Sequence, residues 1–179
     1  MNANSLTWHY FPLNLSAQEI ADPMLVLNDF FNVSGLGGHL KLLKKWRRYV
    51  LQEGYYLGRN GSPSDLLMVH LDAIRLIEAA FLLNEQHKTR DRVVIYDDRY
   101  HKQLEAERIR WKHHAAGLNF KQLVDPMLVM AKVCKAFSLP EYRVHLRDWL
   151  IYGLFDSGCG EFLLAQDIIK VYDNLHSLY

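Results

Sequence analysis

The chain has 179 residues, half of them apolar and 23% charged, with a formal net charge of +1. Such a composition supports one domain with a full core, or two small packed repeats, and excludes the disordered class. A balance this close to neutral argues against a dedicated polyanion binder and leaves local patches as the route to one.

Two cysteines, Cys134 and Cys159, stand too far apart for a zinc knuckle and do not make a disulfide framework. The start, Met1-Asn2-Ala3-Asn4-Ser5, lacks the basic and apolar runs of a signal peptide. No stretch approaches the roughly 18 uninterrupted apolar residues of a membrane span. The expectation is a soluble, cytoplasmic protein.

Residues 1–15 read as an extended arm, aromatic over 6–11 and broken by Pro12. Ser16-Ala-Gln-Glu19 has the form of a capping box and begins a short helical turn. Asp22-Pro23 then supplies an N-cap acceptor and a first-turn proline, so a helix is expected from Pro23 to about Val33, with Met24, Val26, Leu27, Phe30 and Phe31 turned inward. Gly35-Leu-Gly-Gly38 breaks the pattern. The next helix is expected over roughly 39–53, with Leu42, Leu43, Trp46, Tyr49 and Val50 in one arc and Lys41, Lys44, Lys45 and Arg48 opposite. After a loop from Gly54 to Gly61, Ser62-Pro63-Ser64-Asp65 caps a third helix that runs to about His87.

Asp22-Pro23-Met24-Leu25-Val26 occurs again as Asp125-Pro126-Met127-Leu128-Val129. At that shift of 103, 11 of the 37 positions from Leu15 to Leu51 are identical, including Trp46 with Trp149 and Tyr49 with Tyr152. The second copy is expected to form helices from Pro126 to about Phe137, over about 140–155, and from near Glu161. At a shift of 95, Asp72–Glu78 falls on Asp167–Asp173, which places eight extra residues of the first copy in its 54–61 loop. The expected fold is therefore a single all-α domain, 1–179, of two pseudo-symmetric three-helix repeats, 15–84 and 118–179, packed around a shared core. Between them lies an insertion, 85–117. Its Arg92-Val-Val-Ile-Tyr96 has the composition of a short strand, able to pair with the aromatic arm as a minor two-stranded β element. Asp97 or Asp98 caps a charged helix ending before Gly117.

The strongest local charge is Lys41 to Arg48. Residues 39–59 hold six bases against one acid, and 87–121 hold nine against five. A basic helical face beside an aromatic suits phosphate contacts, through Lys41, Lys44, Lys45 and Arg48, joined by Arg108, Arg110 and Lys112 if the insertion lies alongside. The plainer reading is a solvated face, and the equivalent helix of the second copy, with Arg143, His145, Arg147 and Asp148, softens the functional one. No metal is expected, since His101, His113, His114, His70 and His145 lack ligand grouping. No cofactor is expected either: Gly35-Leu-Gly-Gly38 joins two helices and no Lys-Ser/Thr follows it.

Two resemblances accompany this reading. Arg108, with His113 and His114 at spacings of five and six, is similar to the Arg–His motif of HEPN-type ribonucleases, which would imply acid–base chemistry at His113 and phosphate stabilisation by Arg108. Ile109 stands where that family places a polar residue. Residues 20–84, with Asp-Pro, Phe30-Phe31, Trp46 and Leu76-Ile-Glu-Ala-Ala-Phe-Leu-Leu83, resemble a group of small all-helical bacterial proteins, and the resemblance implies a fold rather than an activity. The functional expectation is a non-catalytic protein-interaction or regulatory module, self-associating, with Trp8, Tyr10 and Phe11 as contact residues. The alternative is a nucleic-acid-binding protein, and a HEPN-like ribonuclease stands third.

Overall fold

The computed structural model describes residues 11–33, 35–51, 62–88, 102, 106, 118–119, 121–122, 125–154 and 163–179. Among them are seven helices: α1 (Ala17–Ala21), α2 (Met24–Val33), α3 (Leu36–Leu51), α4 (Pro63–Lys88), α5 (Pro126–Ala136), α6 (Leu139–Leu154) and α7 (Ala165–Leu178). No described residue is in a strand, so the fold is all-α there. The expected strand at 92–96 and the arm at 6–10 lie outside the described residues. Of 89–117, only Lys102 and Ala106 are described, and both are helical.

Local chemistry accounts for the starts of the helices. Ser16 and Glu19 form the reciprocal box before α1, with Ser16 N–H donating to Glu19 Oε2 at 2.7 Å and Glu19 N–H to Ser16 Oγ at 3.3 Å. Asp22 Oδ1 accepts from Met24 N–H at 3.2 Å, and Asp125 Oδ1 from Met127 N–H at 3.1 Å. Ser62 N–H donates to Asp65 Oδ2 at 2.8 Å, and Ser138 N–H to Glu141 Oε2 at 2.6 Å. Each removes a donor that the start of a helix leaves without a partner.

Two of these arrangements recur at a spacing of 103. Asn119 and Gln122 make a reciprocal box, 3.0 and 3.1 Å, where Ser16 and Glu19 stand in the earlier stretch. The Asp22 N–H donates to the Gln18 carbonyl and the Asp125 N–H to the Lys121 carbonyl, both at 2.9 Å. Helices α3 and α6 have 16 residues each, and their bounds differ by 103 at both ends.

Helix α4 is the axis of the bundle. Ala73, Ile74 and every residue from Leu76 to Asn84 are buried, so this part of the helix is enclosed on all sides. It packs against α6, α5 and α2, while α3 lies on α6 and α7. One core cluster therefore draws on both halves of the chain, joining Leu43, Trp46, Val50 and Ile77 to Val133, Leu146, Trp149 and Val171. At the α3–α6 crossing the two tryptophans meet edge to face, with ring centroids 5.2 Å apart and planes at 89°, and Trp46 Nε1–H donates to the Trp149 carbonyl at 3.1 Å.

Three expectations are corrected. Met24 and Phe31 do not point inward: they are 46% and 39% exposed, because α2 rests on α4 along the narrow strip of Val26, Leu27 and Phe30 alone. Helix α3 starts at Leu36, not 39, because the Gly35 carbonyl accepts from the N–H groups of Gly38 and His39 and takes the glycines into the first turn. Helix α7 starts at Ala165 rather than near Glu161. Among the described residues no helix is long and apolar enough to cross a membrane.

Candidate nucleic-acid interface

The α3 wheel sets the charged face. Leu43, Trp46 and Val50 are fully buried, which turns Lys41, Lys44 and Arg48 out to solvent and leaves Lys45 and Arg47 half-buried at the flanks. These five cations line one shallow concavity of about 510 Å³ together with Tyr49 and Leu51. Among its described lining residues there is no carboxylate. Arg47 is anchored: its guanidinium carbon lies 3.9 Å from the centroid of the Tyr172 ring on α7, a cation–π contact that fixes one wall. An anion entering here meets cations on three successive turns, with an aromatic ring beside them.

The corresponding face of α6 is built differently. Arg147 pairs with Asp148 at 2.9 Å, His145 packs on Phe137 at 4.7 Å, and Arg143 is drawn inward. Val144 and Ile151, which stand 103 residues after Lys41 and Arg48, are exposed apolar side chains. The basic concavity thus belongs to α3.

Arg143 is committed to a buried charge. Glu78, in the middle of the apolar run of α4, has no solvent exposure. Arg143 reaches its Oε1 through Nε at 3.1 Å and a terminal nitrogen at 2.7 Å. The N–H groups of Leu13 and Asn14 and the Asn14 side-chain amide supply three further donors at 3.2, 2.8 and 3.0 Å. A third Arg143 bond, 2.5 Å to the Phe11 carbonyl, completes the tie between α4, α6 and residues 11–14. The sequence signal for this centre was an acid inside an otherwise apolar helix. The fully satisfied carboxylate holds structure and faces no open space.

The remaining titratable groups also serve packing. His70 lies edge to face with Trp46 and bonds the Leu146 carbonyl through Nδ1 at 3.1 Å; burial pushes its pKa below the ordinary histidine value. Burial raises Asp72, opposed by the nearby charges of Arg75 and His39. Burial pushes the Cys134 thiol up to about 12, so it is not a nucleophile at neutral pH. Among the described residues no group of three or more His, Cys, Asp or Glu side chains could hold a metal ion.

Of the sequence-predicted contact residues, Lys41, Lys44, Lys45 and Arg48 are brought together. Arg108, Arg110 and Lys112 lie outside the described residues, as do His113 and His114 of the ribonuclease-like motif and Trp8 and Tyr10 of the arm. Phe11 is 42% exposed, with its carbonyl held by Arg143. Arg47 was overlooked in the sequence, where Tyr172, its partner 125 positions away, gave no local sign. No family model, curated protein or solved structure matches the chain.

Proposed function

We propose that this is a cytoplasmic, non-catalytic binding module that holds the phosphate backbone of a nucleic acid on α3. The observation carrying this reading is the concavity in which five cations and Tyr49 converge. Phosphates are attracted there by charge. Two pseudo-symmetric three-helix repeats form the scaffold, a reading supported by the caps and helix bounds that recur at a spacing of 103. Of the equivalent helices α3 and α6, α3 alone carries the basic face among the described residues, so the ligand is expected on its side.

The test is binding of mixed single- and double-stranded DNA and RNA as a function of salt. With four phosphates neutralised, affinity is expected to fall on the order of a hundredfold between 50 and 200 mM salt. Replacing Lys44, Lys45 and Arg48 by Glu together is expected to abolish binding. No binding at low salt, or binding untouched by the triple replacement, would remove the proposal.

A further inference from the structure

Two surfaces elsewhere on the molecule complement one another, and neither takes part in the α3 site. The first is the outer face of α2. Met24, Leu25, Phe31 and Val33 are exposed there, Val33 at 79%. Asn28, Asp29 and Asn32 are the exposed polar residues among them. No lysine or arginine occurs anywhere from Met1 to Gly38, so this face carries apolar side chains, the two asparagines and Asp29 as its one charge.

The second is a shallow concavity of about 570 Å³ between α5 and α7. Leu128, Ala131 and Ala136 form its apolar surface, and Lys132, Lys135 and Lys170 its charged rim. Lys170 Nζ lies 4.1 Å from the centroid of the Phe137 ring, which holds it at the edge. Glu141, which feels the charge of Lys170, is already bonded by the Ser138 N–H and hydroxyl. Among the described residues neither Lys132 nor Lys135 has an ion-pair partner.

We propose that α2 of one molecule seats in the α5–α7 concavity of a second copy, Asp29 facing the Lys132–Lys135 pair. Charge complementarity selects this occupant: the concavity asks for a largely apolar helix that carries an acid and no base, and α2 with Asp29 is one. The insertion is a poor alternative, since residues 87–121 carry nine bases against five acids, and residues 1–10 contain no acid at all. Asp29 and Lys132 are themselves 103 positions apart, so equivalent helices bear opposite signs. Two copies can therefore exchange α2 for α5 reciprocally and close as a dimer, whereas a contact made in one direction only would propagate.

The experiment measures mass in solution against concentration for the full chain, for Asp29→Lys, for Lys132→Glu, and for an equimolar mixture of the two variants. Both positions are solvent-exposed, and circular dichroism melts verify that the variants fold. Each variant alone is expected to raise the dissociation constant on the order of tenfold, from like charges brought face to face. The mixture is expected to recover association, because the cation introduced in one chain then meets the acid introduced in the other. A wild-type chain that stays monomeric, or an assembly that both variants leave unchanged, would overturn the proposal. Nucleic-acid binding is read separately, by salt titration of the α3 site, so each idea can fail alone.

Discussion

His39 and Tyr142 stand 103 residues apart and do the same thing with different chemistry. His39 Nε2 meets the Phe30 carbonyl at 2.8 Å, and the Tyr142 hydroxyl donates to the Val133 carbonyl at 3.0 Å. Each acceptor lies nine residues before its donor, in the last turn of the preceding helix, where carbonyls have no intrahelical partner. The α2–α3 joint and the α5–α6 joint are thus each closed by a buried side chain of the later helix. Because the bonded atom is a carbonyl, Nε2 of His39 carries the proton.

Tyr142→Phe keeps the ring and removes only the donor, leaving the Val133 carbonyl buried without it. The expected loss is about 1–3 kcal/mol, the cost of stranding a buried acceptor. A urea titration that places the variant at the wild-type midpoint would show that water or another donor already serves that carbonyl.

Arg143 and Glu78 allow a sharper test. Removing the cation by Arg143→Met leaves a carboxylate in the core and is expected to cost about 3–5 kcal/mol. The double variant Arg143→Met with Glu78→Leu removes both charges and is expected to recover part of that loss, although Leu13 and Asn14 then lose their acceptor. Recovery is read as a non-additive pair in denaturant unfolding. Both proteins are expected to be cut by protease ahead of Asn14 more readily than the wild type.

The helix starts were legible in the sequence because their causes are local: Ser16 with Glu19, Asp125 with Pro126, and Ser138 with Glu141 act within four residues. The charged arc of α3 was legible for the same reason, since a helical period fixes it. The Asn119–Gln122 box was missed because its amides lack the usual Ser and Glu signature. The misplaced inward faces of Met24 and Phe31 have another cause. How much of an amphipathic helix is buried depends on its neighbours, and α2 packs chiefly on one. The partners of Glu78 had no local sign in the sequence, because they lie 64 and 65 positions away.

Gly153 stands where Val50 stands in the first half, and the crossing helix explains the difference. A Cβ at Gly153 would lie 2.8 Å from Leu66 Cδ2 and 3.4 Å from Trp46 Cδ1 and Nε1. Leu66 and Trp46 are fully buried and have little room to give. Gly153→Ala gains about 1 kcal/mol in helix propensity and loses about 1–3 kcal/mol to overpacking. Net destabilisation is expected, read as a lower thermal midpoint; a raised midpoint would show that Leu66 repacks without strain.

His70 sets a pH dependence. Its folded pKa is held below the ordinary value by burial, so between that value and about 6.5 the unfolded chain binds more protons. Stability is therefore expected to fall as pH drops from 7 towards 5. Asp72 acts with the opposite sign: its raised pKa contributes stability at acid pH that is lost as pH rises through it. Comparing wild type with His70→Gln at pH 7.0 and 5.5 isolates the histidine. The variant is expected to be less stable at pH 7.0 and to lose less on acidification.

The divergence between α3 and α6 supplies an internal control for the binding surface. Arg147 occupies the position of Lys44 in the other half, but its charge is taken by Asp148. Arg147→Glu is expected to leave nucleic-acid affinity and its salt dependence unchanged. Lys44→Glu is expected to weaken binding to all sequences alike and to reduce the salt slope by about one unit, as for the loss of one phosphate contact. Equal losses from the two substitutions would mean that net charge, and not the α3 concavity, governs binding. The measurement that decides is the pair of salt slopes, taken on the same oligonucleotide.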